Sequence, residues 1–292
     1  MVKYGIPYRG SKSKIAKEIL AVLPSGNRFI DVFGGGAAMS HAALLSGQYD
    51  EVIYNDKCEG LGELIQDAIA GKYNYNVFKP EFVSREEFFA GKNSNPYIRW
   101  IWSFGNNGND YMFGRDVEPI KKSAHDWVVF DFKDDVMNQM FPQTNLRKSG
   151  ICERRSQFRQ IVRESKTRFD LQQLQQLERL QQLERLPISF YNLDYRGFLQ
   201  QIKPNENDVV YCDPPYNPTQ KGDDYYNCGF DFSSFLNFVA DYPQTIYFSS
   251  YPIDDDRFEI VWQKQTMVTF SPTNNKTRRT ECLYRSKNEN NL

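Results

Sequence analysis

Asp213, Pro214, Pro215 and Tyr216 stand together at the end of the run Asp208-Val209-Val210-Tyr211-Cys212. That run is short and apolar, and it reads as a buried strand. Neither proline can donate a backbone hydrogen bond, so the chain leaves the sheet there in a rigid turn. Such a turn presents one carboxylate, one backbone carbonyl and one aromatic ring at the carboxyl end of a strand, where open α/β sheets hold ligands. These groups suit an exocyclic amine on a flat base. The carboxylate and the carbonyl accept its two N–H groups, and the ring of Tyr216 stacks on the base. Accepting both hydrogens draws the nitrogen toward a tetrahedral geometry and frees its lone pair to attack an electrophile. A surface turn can have the same composition, so the surrounding sequence must decide.

Two further stretches carry chemistry. Tyr8-Arg9-Gly10-Ser11-Lys12-Ser13-Lys14 leads into Ile15-Ala16-Lys17-Glu18-Ile19-Leu20, whose apolar spacing is helical. A loop entering a helix in this way favours anions, and Lys12 adds a cation, although an ordinary helix start has the same form. Phe29 to Phe33, with Asp31 inside it, reads as a strand, and Ala37 to Leu45 as a helix. Gly34, Gly35 and Gly36 between them allow the close backbone approach that a nucleotide needs. The next strand, Glu51 to Tyr54, ends at Asn55-Asp56, and Asp56 is placed to accept hydrogen bonds from a ribose.

Composition narrows the alternatives. The chain has 292 residues and is 40% hydrophobic, enough to bury a core in one large domain or two smaller ones. Five cysteines without a Cys-x-x-Cys pair, and only two histidines, argue against a disulfide framework, a metal centre and a Ser/His/Asp triad. No signal peptide or membrane span is read, and the expectation is a soluble, cytoplasmic protein. Net charge is −1, but Arg147 to Arg168 holds eight basic and two acidic residues. That block is an expected phosphate footprint, the alternative being a solvated helix face.

The elements that must position these groups alternate between strand and helix, except from Lys57 to Leu186. That stretch is rich in aromatic and asparagine residues, as in Trp100 to Tyr111, and is too long for a loop. It reads as an inserted subdomain with side chains suited to base edges and stacking, about half of its aromatics being core. Leucine recurs every third residue from Leu171 to Leu186, so in an α-helix the leucines should wind around the axis. This predicts a helical arm tolerant of whole-unit changes, the alternative being an exposed helix whose repetition has no consequence. Strands return at Ile188–Tyr191, before Asn192-Leu193-Asp194, and at 244–251. An antiparallel pair at 259–270 and 281–285 encloses a basic loop, Lys276 to Arg279.

Taken in order, these motifs resemble the Dam-like (D12 class, alpha group) DNA N6-adenine methyltransferases. Gly10-Ser11-Lys12, Asp31-Val32-Phe33-Gly34-Gly35, Asp56, a long insert and Asp213-Pro214-Pro215-Tyr216 follow the family's sequence of elements. Ala37 departs from it, standing where the family usually has a second glycine. The resemblance implies an α/β fold: a Rossmann-like, seven-stranded, mostly parallel methyltransferase sheet with an inserted, largely helical target-recognition subdomain. Residues 1–56 and 187–292 would form the S-adenosylmethionine-binding catalytic domain and 57–186 the insert. It further implies that Tyr8 and Lys12 border the cofactor, with Phe33 and Gly34–Gly36 beneath it. Asp31 and Asp213 would be among the cofactor contacts, Asp56 would bind the ribose and Asp194 the cofactor's adenine. Asp213, the Pro214 carbonyl, Pro215 and Tyr216 would hold a target adenine flipped out of double-stranded DNA. Asp213 would stand in an open cleft with no buried partner, and Tyr216 would act through its ring and not its hydroxyl. No metal and no membrane are implied, and a restriction endonuclease partner is left open. Methylation of cytosine N4 or of an RNA base, and a catalytically silent DNA-binding module, are the alternatives.

Overall fold

The computed structural model describes residues 3–147, 149–164, 175–216, 230–268 and 277–287. They divide into two compact units. One holds residues 3–11 and 63–185, the other residues 12–62 and 186–292. The strands are β1 (Gly26–Asp31), β2 (Tyr49–Asn55), β3 (Ile188–Tyr191), β4 (Val209–Cys212), β5 (Ile246–Ser250), β6 (Phe258–Val268) and β7 (Thr277–Ser286). Helices α1 (Ala16–Leu20), α2 (Ala38–Ser46) and α3 (Leu61–Ile69) come first. Next are α4 (Arg85–Gly91), α5 (Pro96–Ile101), α6 (Glu118–Phe130), α7 (Asp135–Met140), α8 (Ile151–Glu164) and α9 (Gln175–Arg179). Helices α10 (Tyr195–Ile202) and α11 (Phe232–Asp241) return to the strand-bearing unit.

In that unit all seven strands form one sheet in the order β3-β2-β1-β4-β5-β7-β6. The first five are parallel, while β7 runs antiparallel to both β5 and β6. All four residues of β4, Val-Val-Tyr-Cys, are buried, as a central parallel strand covered on both faces requires. Strand alternation puts Ile30, Ile53, Val210 and Cys212 into the cluster covered by Phe198 of α10 and Phe235 of α11. Asp31, one residue on from Ile30, points to the opposite face and meets α2. At the other end of β1, the Arg28 guanidinium grips Asp208 in a two-bond fork, 3.0 and 2.5 Å, fixing β1 against the turn into β4. The basic loop expected at Lys276–Arg279 is different. Arg278 and Arg279 lie within β7, and Lys276 is outside the described residues.

The other unit is helical in its described residues, apart from an isolated bridge between Ser103 and Tyr111. Trp127, Phe141 and Phe158 join α6, α7 and α8 in one core. A second aromatic group gathers Phe82, Trp102, Phe113 and His125. Trp100 and Trp102 are core residues, whereas Phe104, at the start of the asparagine-rich loop, is 56% exposed.

Two expectations for this unit need correction. Arg154 and Arg155, read as phosphate contacts, are 7% and 3% exposed. The Arg154 guanidinium donates to the Val128 and Val129 carbonyls at 2.7 and 2.8 Å, and also to that of Ser149. It thus satisfies carbonyls at the carboxyl end of α6, where a cation is favoured. Arg147 and Arg163 are exposed, and Lys148, Lys166 and Arg168 lie outside the described residues. The leucine repeat is the second correction. Leu177, Leu180 and Leu183 are all buried. After α9 the chain tightens into a 3₁₀ turn over Leu180–Leu183, and with three residues per turn, leucines three apart share one face. Gln181 between them accepts from Asn74 at 2.7 Å. The described part of the repeat is packed core, not a free arm, and Leu171 and Leu174 lie outside the described residues.

Candidate active site

The carboxyl ends of β3, β2, β1 and β4 lie side by side, and the strand order reverses between β1 and β4. This is the switch point at which open α/β sheets form a crevice. Pairing extends one residue beyond β1, through Val32 N–H to the Tyr211 carbonyl at 2.9 Å. Then the glycine loop begins. A Cβ on Gly34 would stand 2.2 Å from the Tyr54 ring, so no larger residue fits there. The Gly34 N–H donates to Asn55 O at 2.7 Å, and the Tyr54 hydroxyl to Gly35 O at 2.8 Å. Gly35 and Ala37 both have left-handed backbones, φ 47° and 58°. Ala37 is thus a side chain in a conformation that glycine adopts more readily. Phe33 turns the other way, its ring 5.5 Å from Tyr195 and 5.7 Å from Phe235.

Three acidic residues stand at or just beyond the ends of β1, β2 and β3. Asp31 is 1% exposed. Its Oδ2 accepts from the Ser40 N–H at 3.1 Å and the Ser40 hydroxyl at 2.6 Å, supplying α2 with the cap that Ala37 cannot. Its Oδ1 is buried with no hydrogen-bond partner among the described residues. Burial pushes the carboxyl up to about 7, with the Ser40 hydrogen bonds opposing and Asp213 reinforcing the rise. Asp56 binds backbone: Oδ2 accepts from Gly35 N–H at 2.8 Å and Oδ1 from Cys58 N–H at 2.7 Å. Burial raises its pKa, and those two backbone bonds resist the rise. Asp194 caps α10 by accepting from Arg196 N–H at 3.1 Å, and the Lys57 ammonium stands 3.5 Å away. A residue absent from the predicted set ties these loops together. Asn55 is buried, donates to Val32 O and Leu193 O at 2.9 and 3.0 Å, and accepts from Leu193 N–H at 2.9 Å.

Beyond β4, Pro214 is buried, and Asp213, Pro215 and Tyr216 are half-buried. Asp213 does not stand alone in an open cleft. Its Oδ1 lies 2.7 Å from the Lys12 ammonium and 3.1 Å from the Tyr216 hydroxyl. Lys12 is itself buried and also pairs with Glu281, at 3.3 Å. Glu281 accepts from the Tyr216 hydroxyl as well, so that hydroxyl is engaged and not idle. The Lys12 ammonium is 4.8 Å from the centre of the Tyr216 ring, which meets Tyr251 edge-on, with centroids 4.8 Å apart and planes at 80°. Burial works against the Lys12 charge, but Asp213 and Glu281 outweigh it and raise the pKa, holding Lys12 as an ammonium. Burial also lifts the Asp213 carboxyl, with Lys12 pulling it back and Glu281 adding to the rise. The Tyr216 phenol is raised well above its ordinary range by burial and by the two carboxylates. Tyr8 lies in the helical unit, its ring 5.5 Å from that of Trp100.

A seven-stranded sheet of this order, a glycine loop after β1 and an Asp-Pro-Pro-Tyr turn after β4 define a Rossmann-like methyltransferase acting on an amine. The family model for the D12 class N6 adenine-specific DNA methyltransferase matches residues 8–237, and the chain belongs to that family. It is an enzyme that methylates N6 of adenine in DNA, and its family implies the use of S-adenosylmethionine. No curated protein matches the chain significantly. Among the described residues no cluster of acidic, cysteine and histidine side chains could hold a metal ion. No described helix is long and apolar enough to cross a membrane.

Proposed function

We propose that Asp213, the Pro214 carbonyl and Tyr216 hold the target adenine of double-stranded DNA, flipped out of its stack, while the loop after β1 holds the cofactor. The observation that carries this reading is the Lys12–Asp213–Glu281–Tyr216 cluster at the end of β4, beside the glycine loop, with Lys12 and Glu281 buried. The residues present fit S-adenosylmethionine. Gly34 leaves no room for a side chain, and the buried, unpartnered Asp31 Oδ1 suits the ammonium of an amino acid. Phe33 and Gly34–Gly36 would form the floor, Asp56 would accept from the ribose with its remaining lone pairs, and Asp194 would meet the adenine. When bound, the cofactor supplies a methyl group already activated by its sulfonium. The chain's own work is therefore positioning. Lys12 fixes Asp213 through Oδ1, and Oδ2 accepts an N–H of the target amine. The Pro214 carbonyl accepts the other, which releases the nitrogen lone pair toward the methyl group. Pro215 keeps the turn rigid, and Tyr216 presents its ring to the base.

Residues 57–186 are assigned to target recognition, with residues 1–56 and 187–292 as the catalytic domain. Exposed Phe104 and the asparagines around it support that assignment, being suited to stacking and base-edge contacts. Asp213→Asn tests the site. The amide still accepts from Lys12 through one oxygen, but it offers the amine an N–H₂ group or a weaker acceptor. Tritiated methyl transfer to genomic DNA should fall at least ~100-fold, within the range for losing one aimed catalytic group, while cofactor binding by calorimetry persists. Near-normal transfer would remove Asp213 from its assigned role.

A further inference from the structure

Glu281 belongs to none of the sequence motifs and lies beyond the last residue that the family model matches. It occupies β7, which runs antiparallel beside β5 with Cys282 opposite Ser250. Its side chain therefore reaches the carboxyl end of the parallel strands from a strand running the other way. There it accepts from two donors that also face Asp213, the Lys12 ammonium at 3.3 Å and the Tyr216 hydroxyl. Donor capacity sets a constraint. An ammonium has three protons and can serve both carboxylates, but a phenol has only one. Asp213 Oδ1 lies 3.1 Å from that phenol oxygen, and Glu281 Oε1 is the closer of the two acceptors.

We infer that Glu281 is a positioning residue for methyl transfer: it takes the Tyr216 proton and so leaves the acceptor strength of Asp213 for the target amine. The inference rests on the role proposed above for Asp213. Without Glu281, the phenol proton turns to Asp213 Oδ1. That change draws electron density from the group that must accept from the amine. The bond from Tyr216 to Glu281 also fixes the ring edge-on to Tyr251. Glutamine in place of Glu281 keeps an oxygen that accepts from both donors. Leucine keeps the volume but removes the acceptor.

The experiment compares single-turnover methyl transfer to duplex DNA in four variants, with S-adenosylmethionine binding measured separately by calorimetry. Glu281→Leu should slow transfer by about tenfold, the worth of one charge-assisted hydrogen bond, at unchanged cofactor affinity. Glu281→Gln should stay within about threefold of wild type by the same reasoning. Adding Tyr216→Phe to Glu281→Leu removes the misdirected proton, so the double variant should be faster than Glu281→Leu alone. A Glu281→Leu enzyme as fast as wild type overturns the inference. So does a slow one that Tyr216→Phe fails to improve, because a merely structural loss would not respond to removing a hydroxyl. Should Glu281→Leu fail to fold, the glutamine variant decides, and a large loss there overturns the inference. Asp213→Asn, run alongside, separates the two claims. If it transfers normally, the reading of the site fails; if it is inactive while Glu281→Leu is normal, only the role of Glu281 fails.

Discussion

Replacing Asp31 by asparagine should make the cofactor-free protein more stable at alkaline pH and less stable at acid pH. Asp31 is buried, spends one oxygen on Ser40 and leaves the other without a partner. Its carboxyl titrates at about 7 in the folded protein, against 3.8 for an unperturbed group. Because the folded pKa is the higher one, the folded state holds an extra proton between those two values. Stability is then greatest below the unfolded pKa and falls as pH rises, by about 1.4 kcal/mol per pH step. Above the folded pKa the accumulated loss is about 4 kcal/mol by the same conversion. Asparagine never ionises, but it puts an N–H₂ group where Oδ1 lacked a partner, at a cost of about 1–3 kcal/mol. The net expectation is a variant roughly 1–3 kcal/mol more stable than wild type near pH 8 and less stable near pH 3.5, where both forms of the wild-type carboxyl are largely protonated. Urea unfolding followed by circular dichroism, without cofactor, reads both values. A difference that stays constant between those two conditions refutes the reasoning, because it would mean that Asp31 is not buried as a charge.

Other perturbations test the remaining parts. Arg154→Ala should destabilise by about 3 kcal/mol, because the bonds it makes to the end of α6 involve a buried charge. Its effect on the salt dependence of DNA binding should be small, whereas Arg163→Ala should reduce that slope, and titration of binding against salt separates the two. Leu180→Ala should cost about 2–5 kcal/mol as a buried truncation in the helical unit, visible as a lowered melting temperature; an unaffected melting temperature would restore the free-arm reading of the repeat. Gly34→Ala should force Tyr54 aside, costing about 1–3 kcal/mol of overpacking, and should weaken S-adenosylmethionine binding by calorimetry. Normal binding in that variant would move the cofactor floor away from this loop.

The parallel half of the sheet and its strand-end acids were legible because their signals are local. A strand, an acid and a glycine or proline turn within a few residues report their own geometry, as Phe29 to Gly36 and Val209 to Tyr216 do. Direction was harder to read. The charge count from Arg147 to Arg168 records that arginines are present, not that Arg154 turns inward to the carbonyls of α6. The leucine repeat misled for a related reason. Its spacing of three fits one face of a 3₁₀ turn and no single face of an α-helix, and only the packing of Leu180–Leu183 shows which helix forms. Glu281 was invisible because nothing in its neighbourhood marks it. It reaches Lys12 only because β7 runs backwards beside β5, and that contact joins residues at opposite ends of the chain.

The charges gathered at this switch point also differ from what stability alone would select. Asp213 and Glu281 pair with the buried Lys12 ammonium, Asp31 and Asp56 stand at or just beyond the ends of β1 and β2, and burial raises the pKa of Asp31, Asp56 and Asp213. Carboxylates held this way are costly to ionise in the empty protein, and a cation bound beside them would favour their ionised form. S-adenosylmethionine brings two cationic centres, its sulfonium and its ammonium, against one carboxylate. Transfer of the methyl group removes the sulfonium charge and leaves a thioether. On the proposed reading of the site, carboxylates that favour the charged cofactor would favour its neutral-sulfur product less, which would weaken product binding once the reaction is complete. Burial of acids beside the glycine loop would then serve both cofactor selection and turnover.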